Sequence, residues 1–176
     1  VDEEAMRRRH RSTVEEEPSQ GFENAWRIHE AQMDWTGKVD AKAAFALTVQ
    51  AALLGAAVVL LPDMNTCVEY VLLGVSVIFV SAGAVCAALV VAPQLRSKSL
   101  ASESASNFIY FGHVRLWKPE QLAREMRRTD LTEQLARQVT VMADIAWKKH
   151  RRVAWSIWLG LVGGAFLLAA AATSRI

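Results

Sequence analysis

Cysteine is scarce in this chain: two among 176 residues, and they sit where they cannot meet. Cys67 and Cys86 lie on one predicted helix, roughly 28 Å apart at ~1.5 Å of rise per residue, far beyond the ~7 Å that bridged Cα atoms tolerate. A disulfide framework is therefore excluded, and both read as small packing residues. No CxxC, HExxH or paired Cys/His spacing is present, so no metal site is expected. GxSxG and glycine-rich phosphate loops are missing as well, and His29, His113 and His150 are scattered. With neither a nucleophile–base pair nor two carboxylates on one face, the chain does not read as an enzyme, and no cofactor is implied. A net charge of +2 is too small and too dispersed for a nucleic-acid surface.

What the chain has is hydrocarbon in blocks. It is 52% hydrophobic and 22% charged, with the two kinds segregated. From Ala43 to Leu61 there is no charge, and Thr48 and Gln50 are the only strongly polar residues. That run covers roughly 28 Å, close to the ~30 Å hydrocarbon core of a bilayer. Two more runs follow, and each is apolar on every side rather than along one stripe. The expected architecture is an all-α membrane protein. Three transmembrane helices, at about residues 43–61, 68–92 and 153–172, carry cytosolic helical stalk extensions.

The first 42 residues are charged and contain no apolar h-region, so the first span is expected to serve as its own insertion signal. Seven basic residues precede that span, none lies in Pro62–Thr66, and twelve lie between Pro93 and Arg152. This asymmetry places the N-terminus and the segment 93–152 in the cytosol, and the short loop and C-terminus outside. Residues 1–20, with RRRHR beside EEE and few large apolar side chains, read as a disordered tail ahead of a membrane domain over 21–176. The Ser-rich stretch SKSLASESAS reads as a connector.

Beyond the tail, Phe22, Trp26, His29 and Met33 recur at helical spacing, and Leu131, Leu135, Val139, Met142 and Ile145 do the same. Two helical stalks, Phe22–Lys42 and Leu131–Arg152, are expected to run into spans one and three and to pack stripe to stripe, the first with a kink at Gly37. Pro119 marks a helix start running to about Arg128, and Thr129-Asp130 a cap for the next. NFIYFGHVRLW fits either a short strand pair or a packed loop. Small-residue pairs, Ala51 with Gly55, Gly83 with Ala87 and Gly160 with Gly164, permit close helix contact in lipid. Internal packing accounts for most of them; Gly160 and Gly164 stand out as a candidate contact between protomers.

Charge is concentrated at the mouth of the first span. Asp34 and Lys38 have the spacing and order of a helical ion pair. Asp40 stands three residues from uninterrupted hydrocarbon, where a lone carboxylate is costly. It needs a base: Lys42, or Lys148, Lys149 or Arg152 from the second stalk. An interfacial belt with Trp35, Trp147 and Trp155 accounts for Lys42 and Lys148, whereas Lys38 and Asp40 suit an anchor or a working site equally. Arg115, among aromatics, suits a phosphate, with Tyr110, Phe111 or Trp117 stacking on a base. Core packing suits the same aromatics.

AWRIHEAQMDWTGKVDAKAAFAL, YFGHVRLW and LARQVTVMADIAWKKHRRVAWS resemble the membrane effectors of Pycsar antiphage systems, over about Phe22 to Ala172. The D-W-T-x-K-V-D-A-K-A run is the most specific part. The resemblance implies a partner pyrimidine cyclase whose product, cyclic CMP or cyclic UMP, activates the effector. It then impairs the inner membrane and causes abortive infection. The resemblance marks Trp35, Lys38, Asp40 and Lys42 as motif positions; with Phe111 and Arg115 they are the candidate ligand contacts. Some such effectors carry a separate cyclic-nucleotide-binding domain, for which 176 residues leave no room. The expectation is a ligand-activated homo-oligomer in the bacterial cell membrane; the rival is a constitutive structural membrane protein, such as a plasmid-transfer accessory.

Overall fold

A computed structural model describes residues 20–93 and 107–174. Apart from Gln20, the tail expected over 1–20 lies outside them, as does the Ser-rich connector. Every regular element described is helical, with no strand among the described residues. Helix α1 runs from Gln20 to Leu60 and α2 from Cys67 to Val91; α3 (Phe111–Val114) and α4 (Pro119–Glu125) are short; α5 runs from Thr132 to Thr173. Helices α1, α2 and α5 are each long and apolar enough to cross a membrane. Gly37 does not interrupt α1, which is one helix throughout its 41 residues.

The ends of these helices follow from local chemistry. Pro62 halts α1 in a 3-10 turn, Leu61–Asp63. Three residues later Thr66 and Glu69 form a reciprocal capping box: Thr66 Oγ1 accepts from Glu69 N, and Glu69 Oε2 accepts from the backbone of Thr66 and, at 2.7 Å, of Asn65. Pro119 opens α4, whose last turn tightens as Arg127 and Arg128 donate to Arg124 and Glu125, so the helix stops short of Arg128. Asp130, not Thr129, serves the start of α5: its Oδ1 accepts from Thr132 N at 2.9 Å. Thr129 Oγ1 instead donates to Glu125 Oε1 at 2.7 Å.

The chain forms two compact units, Val1–Gln32 with Arg96–Met142 and Met33–Leu95 with Ala143–Ile176. In the second, or membrane, unit, Val39 and Ala43 of α1 cluster with Val90 and Val153, and Ala57 clusters with Met64, Leu73, Leu167 and Ala170. These pairings make α2 antiparallel and α5 parallel to α1. Buried positions recur at steps of three and four, or of seven where the place between is half-buried. They are 39, 43, 46, 50 and 57 in α1; 69, 73, 76, 80, 83, 87 and 90 in α2; and 146, 153, 156, 160, 163, 167 and 170 in α5. This is a 3.5-residue repeat, the signature of knobs-into-holes packing.

The seam holds mainly small and polar residues, while Phe45, Val58, Val59, Ile78 and Leu168 point outward. In hydrocarbon, apolar side chains gain nothing by facing inward, so close backbone approach and hydrogen bonds decide the interior. Gly83 and Ala87 lie in the seam as the sequence suggested, and so does Gly160, which the sequence offered as a contact between protomers; Ala51 and Gly55 are exposed. The stripe read from Phe22, Trp26, His29 and Met33 is also out of phase. Only His29 of the four is buried, and it shares its face with Gln32. Phe22, Trp26 and His29 instead form a row of ring contacts at 6.3 and 5.6 Å.

In the first unit, Leu135 is fully buried, with Val139 and Met142 half-buried on the same helix and Leu131 half-buried just before it. The stretch Asn107–Trp117 is neither strand nor open loop. His113 and Val114 donate to Tyr110 O at 2.9 and 3.1 Å, winding it into α3. Phe108 packs edge-on against Trp117 at 6.0 Å, and Trp117 Nε1 donates to Asn107 O at 3.4 Å.

Candidate coupling and ligand sites

At the mouth of the first span, Lys38 Nζ lies 2.6 Å from Asp34 Oδ2, both side chains well exposed. Such a pair contributes about 0–1 kcal/mol. Asp40 is different. Lys149 Nζ donates to both of its oxygens, at 2.7 and 2.9 Å, across 109 residues of sequence. The lysine is 13% exposed and the aspartate 38%, so the pair is held between α1 and α5 rather than on a surface. Of the bases the sequence offered to Asp40, Lys149 is the one engaged; Lys148 pairs with Asp144 at 2.6 Å on its own helix. Trp35 and Lys42 are exposed.

The two polar residues of the first apolar run have opposite fates. Thr48 returns its hydroxyl to Ala44 O at 3.1 Å. Gln50, 2% exposed, sends Nε2 to both the carbonyl and the hydroxyl oxygen of Ser156, each at 2.9 Å. Gly83 makes room for it: a Cβ there would come within 2.7 Å of Gln50 Nε2 and 3.0 Å of Ser156 O. One step outward, Ser76 Oγ donates to Gly163 O at 2.7 Å. All three helices are thus joined by hydrogen bonds in mid-span. The sequence announced this layer only through Gln50, because a serine in an apolar run carries no periodic signal. Beside it runs an apolar groove of about 900 Å³, lined by Phe45, Val49, Leu53, Gly160, Gly164 and Leu168 among others. Gly160 abuts the Gln50 side chain within this chain, and a Cβ at Gly164 would only touch Leu53 at 3.9 Å.

The first unit holds a second cavity, of about 200 Å³ and quite unlike the groove. Gln134, Arg137, Gln138 and Val141 line it from one face of α5, at steps of three, one and three. Asn107, Ile109, Tyr110 and His113 come from the aromatic stretch. Gln134 Oε1 accepts from Phe108 N at 3.4 Å, which pins that stretch to the helix. Tyr110 stands edge-on to His113 at 5.5 Å and lies against Gly112, where any Cβ would strike its ring. His113 is 4% exposed. The candidates Phe111 and Arg115 are exposed and do not line this cavity; Phe111 contacts Tyr110 at 4.5 Å.

The candidate ligand contacts thus divide: Trp35, Lys38, Asp40 and Lys42 in the membrane unit, Phe111 and Arg115 in the other. The three carboxamides and the imidazole of the cavity were missed as a group, because no fixed spacing links residues 107–113 to 134–138. Among the described residues, no three His, Cys, Asp or Glu side chains are grouped to hold a metal ion. At the start of α5, the hydrogen bonds from the Thr132 backbone and hydroxyl hold the Asp130 carboxyl below the usual carboxylate range.

Among known protein families, the one described as the Pycsar effector protein domain matches residues 24–175. A comparison with curated proteins finds no match, and a comparison with solved structures finds none.

Proposed function

The chain belongs to the Pycsar effector family, and from that premise we propose that it is a membrane effector switched on by a cyclic pyrimidine nucleotide. In this reading a partner cyclase makes cyclic CMP or cyclic UMP during phage infection. The ligand binds on the cytosolic side, and the protein impairs the bacterial inner membrane, ending growth of the infected cell. The distribution of basic residues supports a cytosolic N-terminus and a cytosolic segment 93–152. The chain acts as an effector rather than an enzyme.

The observation that carries this reading is the family match over residues 24–175, which takes in all three membrane-crossing helices. The sequence candidates enter it in two roles. Trp35, Lys38 and Lys42, exposed at the mouth of the first span, serve as interfacial anchors there, Lys38 in a weak exposed pair with Asp34. Asp40, held by Lys149, is the lock that a bound ligand would release. Gly160 and Gly164, on the groove, are where a second copy would approach.

Purified protein in dye-loaded liposomes tests the proposal. Cyclic CMP or cyclic UMP is expected to release the dye, and cyclic AMP to do so less. Gly164→Leu should insert normally yet leak little, because a bulky side chain holds neighbouring helices apart. Wild-type vesicles that stay sealed with both pyrimidine ligands at millimolar concentration would favour the structural, ligand-free rival.

A further inference from the structure

We propose that the cavity between the aromatic stretch and α5 in the first unit is the nucleotide site, taking a pyrimidine base inside and a singly charged phosphodiester at Arg137. This rests on the ligand-activated reading above and gives it a location other than the membrane mouth.

The groove and the smaller cavity, both among the described residues, have opposite chemistry, which decides where a nucleotide goes. The groove beside Gly160 is apolar and open to hydrocarbon. The smaller cavity brings together three carboxamides, an imidazole, a phenol and a guanidinium. A carboxamide carries a carbonyl acceptor and two N–H donors in one plane, which matches the alternating donors and acceptors on a pyrimidine's edge. Gln134 already lends Oε1 to Phe108 N, so its amide nitrogen is the group left to donate. Gln138 and Asn107 supply further carboxamides. Tyr110 offers a ring for stacking, the sequence-tolerant contribution to base binding.

Size and charge narrow the ligand further. Pockets for drug-sized molecules run to about 300–1,000 Å³. A cavity of about 200 Å³ is smaller than these and suits one ring better than the fused pair of a purine. Arg137 is the formal cation on its wall. Its guanidinium sits 3.4 Å from Glu133 Oε1, both side chains largely exposed, at 63% and 88%. An ion pair this exposed is weak, so a phosphate can displace the carboxylate. Glu133 stays within reach, however, and opposes a second negative charge. One cation beside one acid favours a cyclic phosphodiester, with a single charge, over a nucleoside monophosphate carrying nearly two.

Binding of cyclic CMP and cyclic UMP to the full chain in detergent micelles, measured by calorimetry, tests this. Arg137→Gln should weaken the tighter ligand about tenfold or more and flatten its salt dependence, as loss of a charge-assisted contact requires. Arg137→Lys should recover part of the loss. Gln138→Glu, which keeps the cavity filled but adds a repelling carboxylate, should weaken binding as well. Gly112→Ala should do so by displacing Tyr110. Cyclic AMP and the linear monophosphates should bind less tightly than either cyclic pyrimidine. Lys38→Ala and Arg115→Ala, outside the cavity, should leave affinity within about twofold, as expected of exposed charges. If the wild type binds but Arg137→Gln and Gln138→Glu bind equally well, the cavity is not the site, while the ligand-activated reading survives. Loss of binding in Lys38→Ala alone would move the site to the membrane mouth. A wild type that binds neither cyclic pyrimidine overturns the location and the activating ligand together.

Discussion

Helix α5 crosses from one compact unit into the other, and its buried residues change character on the way. In the first unit its buried residue is Leu135; in the membrane unit the corresponding places are mainly small, Ala146, Ser156, Gly160, Gly163 and Ala170, beside Val153 and Leu167. The outward faces change in the opposite sense, from Glu133 and Arg137 to Trp158, Leu161 and Leu168. One helix therefore obeys two rules. Where water is the solvent, apolar area removed from it supplies the stability, and a leucine goes inside. Where hydrocarbon is the solvent, that drive vanishes, and what remains inside is whatever allows close approach or makes a hydrogen bond.

The sharpest way to break this contrast is truncation of the aqueous core. Leu135→Ala should destabilise the first unit by about 2–5 kcal/mol, through lost transfer energy and the cavity left behind. Local hydrogen-exchange protection around α3 and α5 would report it, while spans one and two keep their protection. A smaller effect is expected at the edge of the bilayer. Lys149→Met leaves the half-buried Asp40 without its base and should cost about 2 kcal/mol, between the exposed and the buried ion-pair cases. Adding Asp40→Asn should return part of that, measured as a double-mutant cycle in bicelles.

Smaller again is the change expected in mid-span. Gln50→Leu removes the hydrogen bonds to Ser156, yet polar contacts between membrane helices average only about 0.6 kcal/mol. A loss above about 2 kcal/mol would show that the polar layer counts for more than membrane averages allow. The mildest effect belongs to Asp130, whose carboxyl titrates lower folded than unfolded. Its contribution is complete above the ordinary carboxylate range and is lost as pH falls through the folded value. The first turn of α5 should therefore fray only in acid, and Asp130→Asn should remove that dependence, as amide exchange at Thr132 and Glu133 would show.

The three spans were legible because nineteen uncharged residues in a row have no other common explanation, and the Asp34–Lys38 pair because its spacing is local. Lys149 stood among the bases offered to Asp40, since a carboxylate beside hydrocarbon demands one. The phase of the first stalk was lost. Periodicity marks the buried face by hydrophobicity, and Trp26 and Met33 are large, apolar and exposed, whereas the neighbouring His29 and Gln32 are polar and buried. The cavity in the first unit was lost for a different reason. Its two walls lie more than twenty residues apart, and nothing in either segment announces the other.

The 3.5-residue repeat makes this chain sensitive to a kind of change that hydropathy cannot register. One alanine inserted between Ala43 and Ala46 would lengthen the first span by about 1.5 Å and leave it just as apolar, so insertion into the bilayer should proceed. Every residue beyond it would nevertheless turn by about 100° around the axis. Gln50 would swing away from Ser156 into lipid, and Val49 would take its place. Seven inserted residues would nearly restore the angle, at the expense of a full extra repeat of length. The family's members should therefore tolerate substitution along the outer face of α1 far more readily than any shift in its frame.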